Sequence, residues 1–192
     1  MHRPVSDPFD TSRLRLRRAR TDELSDDALA AIRTLLDAAF APDDPFFPDS
    51  DWEHALGGMH FVASLEGHTV GHASVVEREL HVGRRSVRTG YVEAVATAPA
   101  LQGRGVGTLV MRAANDHIRA LYELGALGTG EHGFYQRLDW LTWQGPTFVR
   151  APDGERRTHD GDGGIMVLAT PKTGPLDRSA PISCDWRAGD VW

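Results

Sequence analysis

Gln102-Gly103-Arg104-Gly105-Val106-Gly107-Thr108 is the stretch of this chain whose residue types and spacing speak most directly of chemistry. Its glycines allow a backbone to approach a ligand closely. It stands between a strand-like run and an amphipathic helical pattern, so its N–H groups open a helix and suit an anion such as phosphate. The spacing excludes two common phosphate loops. A Walker A loop ends in Gly-Lys-Ser/Thr, whereas Gly107 is followed by Thr108 and Leu109. The dinucleotide pattern G-x-G-x-x-G fails in both frames, because its last position is Thr108 counted from Gly103 and Val110 counted from Gly105.

Other chemistry finds little support. No Gly-x-Ser-x-Gly elbow occurs, and His54-x5-His60 and His68-x3-His72 do not make a convincing metal set, so no metal is expected. Cys184 is the sole cysteine, which excludes an intrachain disulfide and a Cys-based cluster. No neighbouring His or Lys activates it, and a small buried residue is the better reading.

The glycine loop needs a scaffold, and the chain supplies one. Arg13 to Arg17 alternates Arg and Leu, as in a half-buried strand with Leu14 and Leu16 on one side. Ser25-Asp26-Asp27 is an N-cap with acids in the first turn, and Leu29, Ile32, Leu36 and Phe40 continue at helical spacing to about Phe40. Pro42, Pro45 and Pro48, mixed with Asp43, Asp44, Asp49 and Asp51, predict a segment that is neither helix nor central strand. From Met59 to Thr97 the pattern is β: Phe61–Leu65, a Glu66-Gly67 turn, a partner over Val70–Leu80, a turn at Gly83, and Tyr91–Ala96. After Pro99, Val106, Val110, Ala113, His117 and Leu121 share one helical face, with His117 read as a core-edge residue. Short elements follow: apolar Gly125–Leu127, a helical turn near Phe134–Leu138, Trp140–Trp143, a polar stretch from Asp153 to Gly164, and a strand over Ile165–Leu168. The tail from Pro171 reads as loop, but Trp186 and Trp192 argue that it is ordered. The order β-α-βββ-α-β-α-β predicts one mixed α/β domain over residues 1–192.

Composition sets outer bounds. The chain has 192 residues, 41% hydrophobic and 25% charged, as in a soluble globular protein. No apolar run is long enough to cross a bilayer and Met1–Asp10 has no signal-like stretch, so a cytoplasmic location without membrane contact is expected. A net charge of −6, from 27 acidic and 21 basic residues, argues against a nucleic-acid-binding face and permits a cationic ligand.

The loop pattern Gln/Arg-x-x-Gly-x-Gly/Ala, the strand before it, the Ala98-Pro99 break and the helix after it resemble the GNAT superfamily of N-acetyltransferases. That resemblance implies an α/β GNAT fold, a mixed central sheet with splayed strands flanked by helices, and acetyl-CoA (coenzyme A) as cosubstrate. It implies that the backbone of Val95, Ala96 and Thr97 pairs with the pantetheine arm, and that Gln102, Gly103, Arg104, Gly105, Val106, Gly107 and Thr108 hold the pyrophosphate. Three further segments are similar to the aminoglycoside 2′-N-acetyltransferases: Asp51-Trp52-Glu53-His54-Ala55-Leu56-Gly57-Gly58-Met59-His60, Gly90-Tyr91-Val92-Glu93-Ala94-Val95, and Cys184-Asp185-Trp186-Arg187-Ala188-Gly189-Asp190-Val191-Trp192. The chain departs from that pattern in a longer acidic Pro-rich loop and a shortened Gly128–Phe134 region.

Acetylating an amine requires a neutral nucleophile, hence a base, and a proton for the departing thiolate. By resemblance Glu93 is the base and Tyr135 the acid, with an N–H near Val95 meeting the oxyanion. Tyr135 suits core packing equally well, beside Phe134 and Leu138. The resemblance also implies that substrate ammonium groups meet Asp43 or Asp44, Asp162 or Asp160, and Asp190 with the Trp192 carboxylate. Glu93, Ala94 and Gly128 complete the substrate site, Gly128 standing where the family often has a serine. A homodimer is the family tendency. The rival readings are a GNAT enzyme for another amine, such as a polyamine or a protein N-terminus, and a non-catalytic acyl-CoA sensor.

Overall fold

The computed structural model describes residues 11–41 and 47–192. In chain order its elements are β1 (Arg15–Arg20), α1 (Asp26–Phe40), α2 (Asp49–Ala55), β2 (Met59–Leu65), β3 (His68–Val82), β4 (Arg85–Thr97) and α3 (Val106–Leu121). Then come β5 (Leu124–Gly128), α4 (His132–Gln136), β6 (Leu141–Thr142), β7 (Thr147–Ala151), β8 (Gly154–Arg157), β9 (Ile165–Ala169) and β10 (Ile182–Asp185). Ser25 caps α1 as expected, its side chain accepting from Ala28 N–H, and the helix buries Ile32, Leu35 and Leu36. The β2–β3 turn places Glu66 at φ 52° and Gly67 at φ 85°, the paired left-handed geometry that matches strand twist in a two-residue hairpin.

The strands form one sheet in the order β6-β9-β5-β4-β3-β10-β7-β8. The long β3 offers one edge to β4 and divides the other, pairing with β2 over His68–Val75 and with β10 over Leu80–Val82. Pairs β4–β5 and β7–β10 are parallel and the rest antiparallel, so the sheet is mixed. α3 packs against β2, β3, β4 and β5, while α1 packs against β3 and β4. Two features of β4 stand out. Its pairing with β5 ends at Tyr91↔Ala126 although both strands run on, so the two splay apart. Its pairing with β3 shifts between Ser74↔Glu93 and His72↔Ala96, a bulge whose extra residue includes Ala94 at φ 51°. The bulge resets the alternation: Val92 and Val95 pack on the α3 side, Ala94 and Ala96 on the α1 side.

Several expectations are corrected. Strand β1 begins at Arg15, Leu14 is buried just before it, Leu16 is exposed, and Ala19 is the strand's buried residue. The acidic segment turns helical after Pro48: Asp49 and Asp51 lie in the first turn of α2, where carboxylates complement the helix dipole. Pro42, Asp43, Asp44 and Pro45 lie outside the described residues. On α3 the buried face runs through Val106, Val110, Met111, Ala114 and Ile118, leaving Leu121 exposed. His117 does sit at the core edge, with its ring edge-on to Phe61 and Tyr122. The stretch read as polar loop holds β8 and a short helical turn, and the tail holds β10. Cys184 is a fully buried core residue of β10.

Candidate active site

The splay between β4 and β5 opens a cleft of about 1010 Å³. Its floor is β4 from Tyr91 to Thr97; around it stand the glycine loop, the end of β5, α4, α2 and the C-terminal segment. Gln102, Gly103, Gly105, Gly107 and Thr108 line it, while the Val106 side chain points into the core. Gly103 and Gly105 have φ of 72° and 86°, left-handed positions that glycine alone adopts readily. Gly105 is the N-cap of α3 and no side chain caps that helix, which leaves its first N–H groups to an external acceptor. A Cβ at Gly107 would lie 3.1 Å from Thr97 Oγ1 and 3.4 Å from the Phe134 ring, so glycine lets α3, β4 and α4 close together at this point of the wall. Together with the β4 edge beyond Tyr91, unpaired towards β5, these residues fit an extended cofactor arm ending in a pyrophosphate.

Glu93 enters the cleft from the bulge, nearly buried. Burial raises its pKa above the ordinary carboxylate value. Arg187 opposes that, both as a charge and through an Nη1–Oε1 contact of 2.6 Å, without cancelling it. The same guanidinium donates through Nε to the Asp190 carbonyl at 2.7 Å, and through Nη2 to the Trp192 main-chain oxygen at 3.4 Å. It thereby moors the C-terminal segment against the glutamate. Tyr135 lies buried on α4, edge-on to Phe134 and Trp140. Trp140 is itself anchored, its indole N–H donating to Asn115 Oδ1 of α3 at 3.0 Å. Burial, reinforced by the charge of Glu131, raises the Tyr135 pKa, so the phenol keeps its proton through the physiological range. Tyr135 belongs to the core cluster and also lines the cleft.

The cleft wall carries Asp51, Glu93, Glu131 and Asp190 against Arg137 and Arg187, a surplus of acid that suits a cation. Ala94, Gly128 and Trp192 also line the cleft. Asp190 accepts from the Trp192 N–H at 3.0 Å, and the Trp192 indole donates to Thr158 Oγ1 at 2.9 Å. A Cβ at Gly128 would sit 3.6 Å from the Tyr91 hydroxyl, which is buried with no hydrogen-bond partner among the described residues. Asp162 departs from its expected place. It is absent from the cleft wall, and its carboxylate is taken by Arg157, which lowers its pKa, and by the N–H and hydroxyl of Thr147, each at 3.1 Å. Asp160 is exposed and outside the cleft, and Asp43 lies outside the described residues. Sequence reasoning missed Arg187, His54 and Glu131 as cleft residues. Arg187 lay within a segment already noted, but its contact with Glu93 spans 94 residues, beyond any local pattern. Among the described residues no cluster of three or more His, Cys, Asp or Glu could hold a metal, and no helix is long and apolar enough to cross a membrane.

A model of the acetyltransferase (GNAT) family matches residues 27–140 of the chain. The aminoglycoside 2′-N-acetyltransferase of Mycolicibacterium fortuitum is 43% identical over 180 residues, covering 92% of this chain and 91% of that one. Among solved structures, a GNAT family acetyltransferase from Brucella melitensis in complex with acetyl-CoA has a TM-score of 0.61 at 20% identity, covering 91% of this chain and 96% of its own. The GNAT family N-acetyltransferase YhbS from Escherichia coli, in complex with CoA, has a TM-score of 0.63 at 14% identity, covering 90% and 89%. At those identities the structures speak for the fold. The chain belongs to the GNAT acetyltransferase family, with acetyl-CoA as its acetyl donor. Within that family it groups with the aminoglycoside 2′-N-acetyltransferases.

Proposed function

We propose that the chain acetylates the 2′-amino group of aminoglycosides by direct transfer and so confers resistance to them, acting as a cytoplasmic homodimer. The observation that carries the substrate is the acid-rich cleft wall, where Asp51, Glu131 and Asp190 join Glu93 against the guanidiniums of Arg137 and Arg187. A single exposed ion pair is worth only about 1 kcal/mol at 4 Å in water, so several are needed to hold a polycation. When bound, acetyl-CoA supplies a thioester carbonyl open to a neutral amine. Glu93 takes the substrate ammonium proton on a carboxylate oxygen. Its raised pKa brings it closer to the operating pH, where a base combines ionisation with proton affinity. The N–H groups on the free edge of β4 near Val95 face the developing oxyanion. Tyr135, protonated by virtue of its burial, gives its proton to the departing sulfur.

Thiol release from acetyl-CoA, followed with a panel of amines, tests the reading. Turnover is expected with tobramycin and kanamycin B, and none with analogues carrying a hydroxyl at the 2′ position. Glu93→Gln and Tyr135→Phe should each lower kcat by roughly tenfold to a thousandfold while leaving acetyl-CoA affinity intact. Preferred turnover of polyamines or peptide N-termini would transfer the assignment to another amine, and thiol release with none of the panel would favour an acyl-CoA sensor.

A further inference from the structure

Two histidines inside the sheet form a directed chain of hydrogen bonds that ends on the backbone of the cleft. His60 on β2 and His72 on β3 are both fully shielded from solvent. Gly57 N–H donates to Thr21 Oγ1 at 2.8 Å. Thr21 Oγ1 lies 2.8 Å from His60 Nε2, His60 Nδ1 lies 2.9 Å from His72 Nε2, and His72 Nδ1 lies 2.7 Å from the Ala94 carbonyl oxygen. The last link fixes the direction of the rest. A carbonyl only accepts, so His72 Nδ1 carries a hydrogen. Burial keeps both rings neutral, pushing His60 down to about 4 and His72 to about 3. His72 Nε2 is then an acceptor, His60 Nδ1 its donor, His60 Nε2 an acceptor, and the Thr21 hydroxyl the donor. No other pair of neutral tautomers satisfies all of these links.

The chain ends at the extra residue of the β4 bulge. Ala94 has φ 51°, a conformation that an L-residue with a Cβ adopts reluctantly, so the surrounding structure must hold it there. Glu93 precedes it, and the cofactor-facing edge Val95–Thr97 follows it. We propose that His72 is a positioning residue for acetyl transfer, gripping the Ala94 carbonyl and so holding the bulge that presents Glu93 and the Val95–Thr97 edge to the cleft. His60 and Thr21 set its tautomer. Gly57, just past the end of α2, ties the bulge to the helix that carries Asp51 and His54 into the same cleft. The proposal rests on reading Glu93 and that edge as the transfer machinery.

Three variants at one position test it. Asn places an N–H where His72 has Nδ1, whereas Gln places its polar end where His72 has Nε2, and Leu has neither. His72→Asn should keep kcat and acetyl-CoA affinity within about threefold of wild type, while His72→Gln and His72→Leu lower both by about tenfold or more. A merely structural role predicts that Asn and Gln, equally polar and equally misplaced in the core, behave alike. Equal behaviour of the two, or wild-type kcat and affinity in folded His72→Leu, overturns the proposal. In parallel, ¹⁵N spectra of imidazole-labelled protein should show both rings as neutral Nδ1–H tautomers from pH 5 to 8. An Nε2–H form of either ring overturns the relay. The failures are distinguishable. A wrong substrate shows as a wild type inert towards aminoglycosides, a wrong base as full turnover by Glu93→Gln, and a wrong relay only in the His72 series, where calorimetry with acetyl-CoA needs no amine.

Discussion

Arg187→Met removes the guanidinium that contacts Glu93 at 2.6 Å while keeping much of the side-chain volume. Glu93 stands between burial, which raises its pKa, and Arg187, which lowers it with help from Arg78. With charge centres about 4 Å apart and an effective dielectric of about 20, the pair's Coulomb energy is roughly 4 kcal/mol. Water entering the vacated space and the retained Arg78 offset part of that. A net loss of about 1.5–3 kcal/mol remains, equivalent to about one to two pKa units. The sign follows from the role. A base must be ionised to accept the amine's proton, so activity falls as pH drops through its pKa. A higher pKa therefore moves the acid limb of the profile to higher pH and leaves the alkaline plateau in place. Arg187 also holds the Asp190 carbonyl, so the amine KM rises as well, and the limb is read in kcat at saturating amine under conditions where chemistry limits the rate. Arg187→Lys should restore most of the wild-type profile. An acid limb in Arg187→Met that coincides with wild type, or moves to lower pH, would refute the account of how Glu93 is tuned.

Gly105→Val forces a branched residue into φ 86° at the start of α3. Left-handed backbone costs an ordinary residue about 1–2 kcal/mol, so calorimetry should give an acetyl-CoA Kd raised about tenfold or more with the fold retained; an unchanged Kd contradicts the loop assignment. Asp190→Asn should raise the amine KM with little effect on that of acetyl-CoA, and added salt should shrink the difference, because partly exposed pairs are screened over about 8 Å at physiological ionic strength. Asp162→Asn should leave both KM values alone and lower Tm, since its carboxylate binds Arg157 and Thr147 rather than the cleft. A substrate-selective KM effect at Asp162 would return it to the site.

Where function depends on runs of neighbouring residues, the sequence was legible. The glycine loop, the Ser25 cap and the Glu66-Gly67 turn are local devices, in which side-chain type and backbone conformation are set within a few residues. The Leu and Val spacing of α1 and the β character of Met59–Thr97 follow from the 3.6- and 2-residue periods of buried faces. β8, with the sequence Gly-Glu-Arg-Arg, was hidden because an edge strand held by backbone pairing with β7 needs no apolar alternation. β10 was hidden because four residues carry too short a pattern, and its partners in β3 and β7 are distant in the chain.

The catalytic environment divides along the same line. Residue types alone marked Glu93 as a carboxylate on a strand and Asp162 as one acid in a polar loop. Only the folded chain decided that Glu93 would be desolvated at a bulge and met by Arg187 from 94 positions away, while Asp162 would be neutralised by Arg157 five positions away. The bulge itself is such a decision: nothing in Glu93-Ala94-Val95 announces a left-handed alanine, whose carbonyl is held by His72 from the neighbouring strand. Local sequence sets which groups a segment can present and which backbone shapes it adopts cheaply. Burial, partner charge and strand register depend on what packs against that segment, and here those bring Glu93 to the cleft and tie Asp162 to Arg157 outside it.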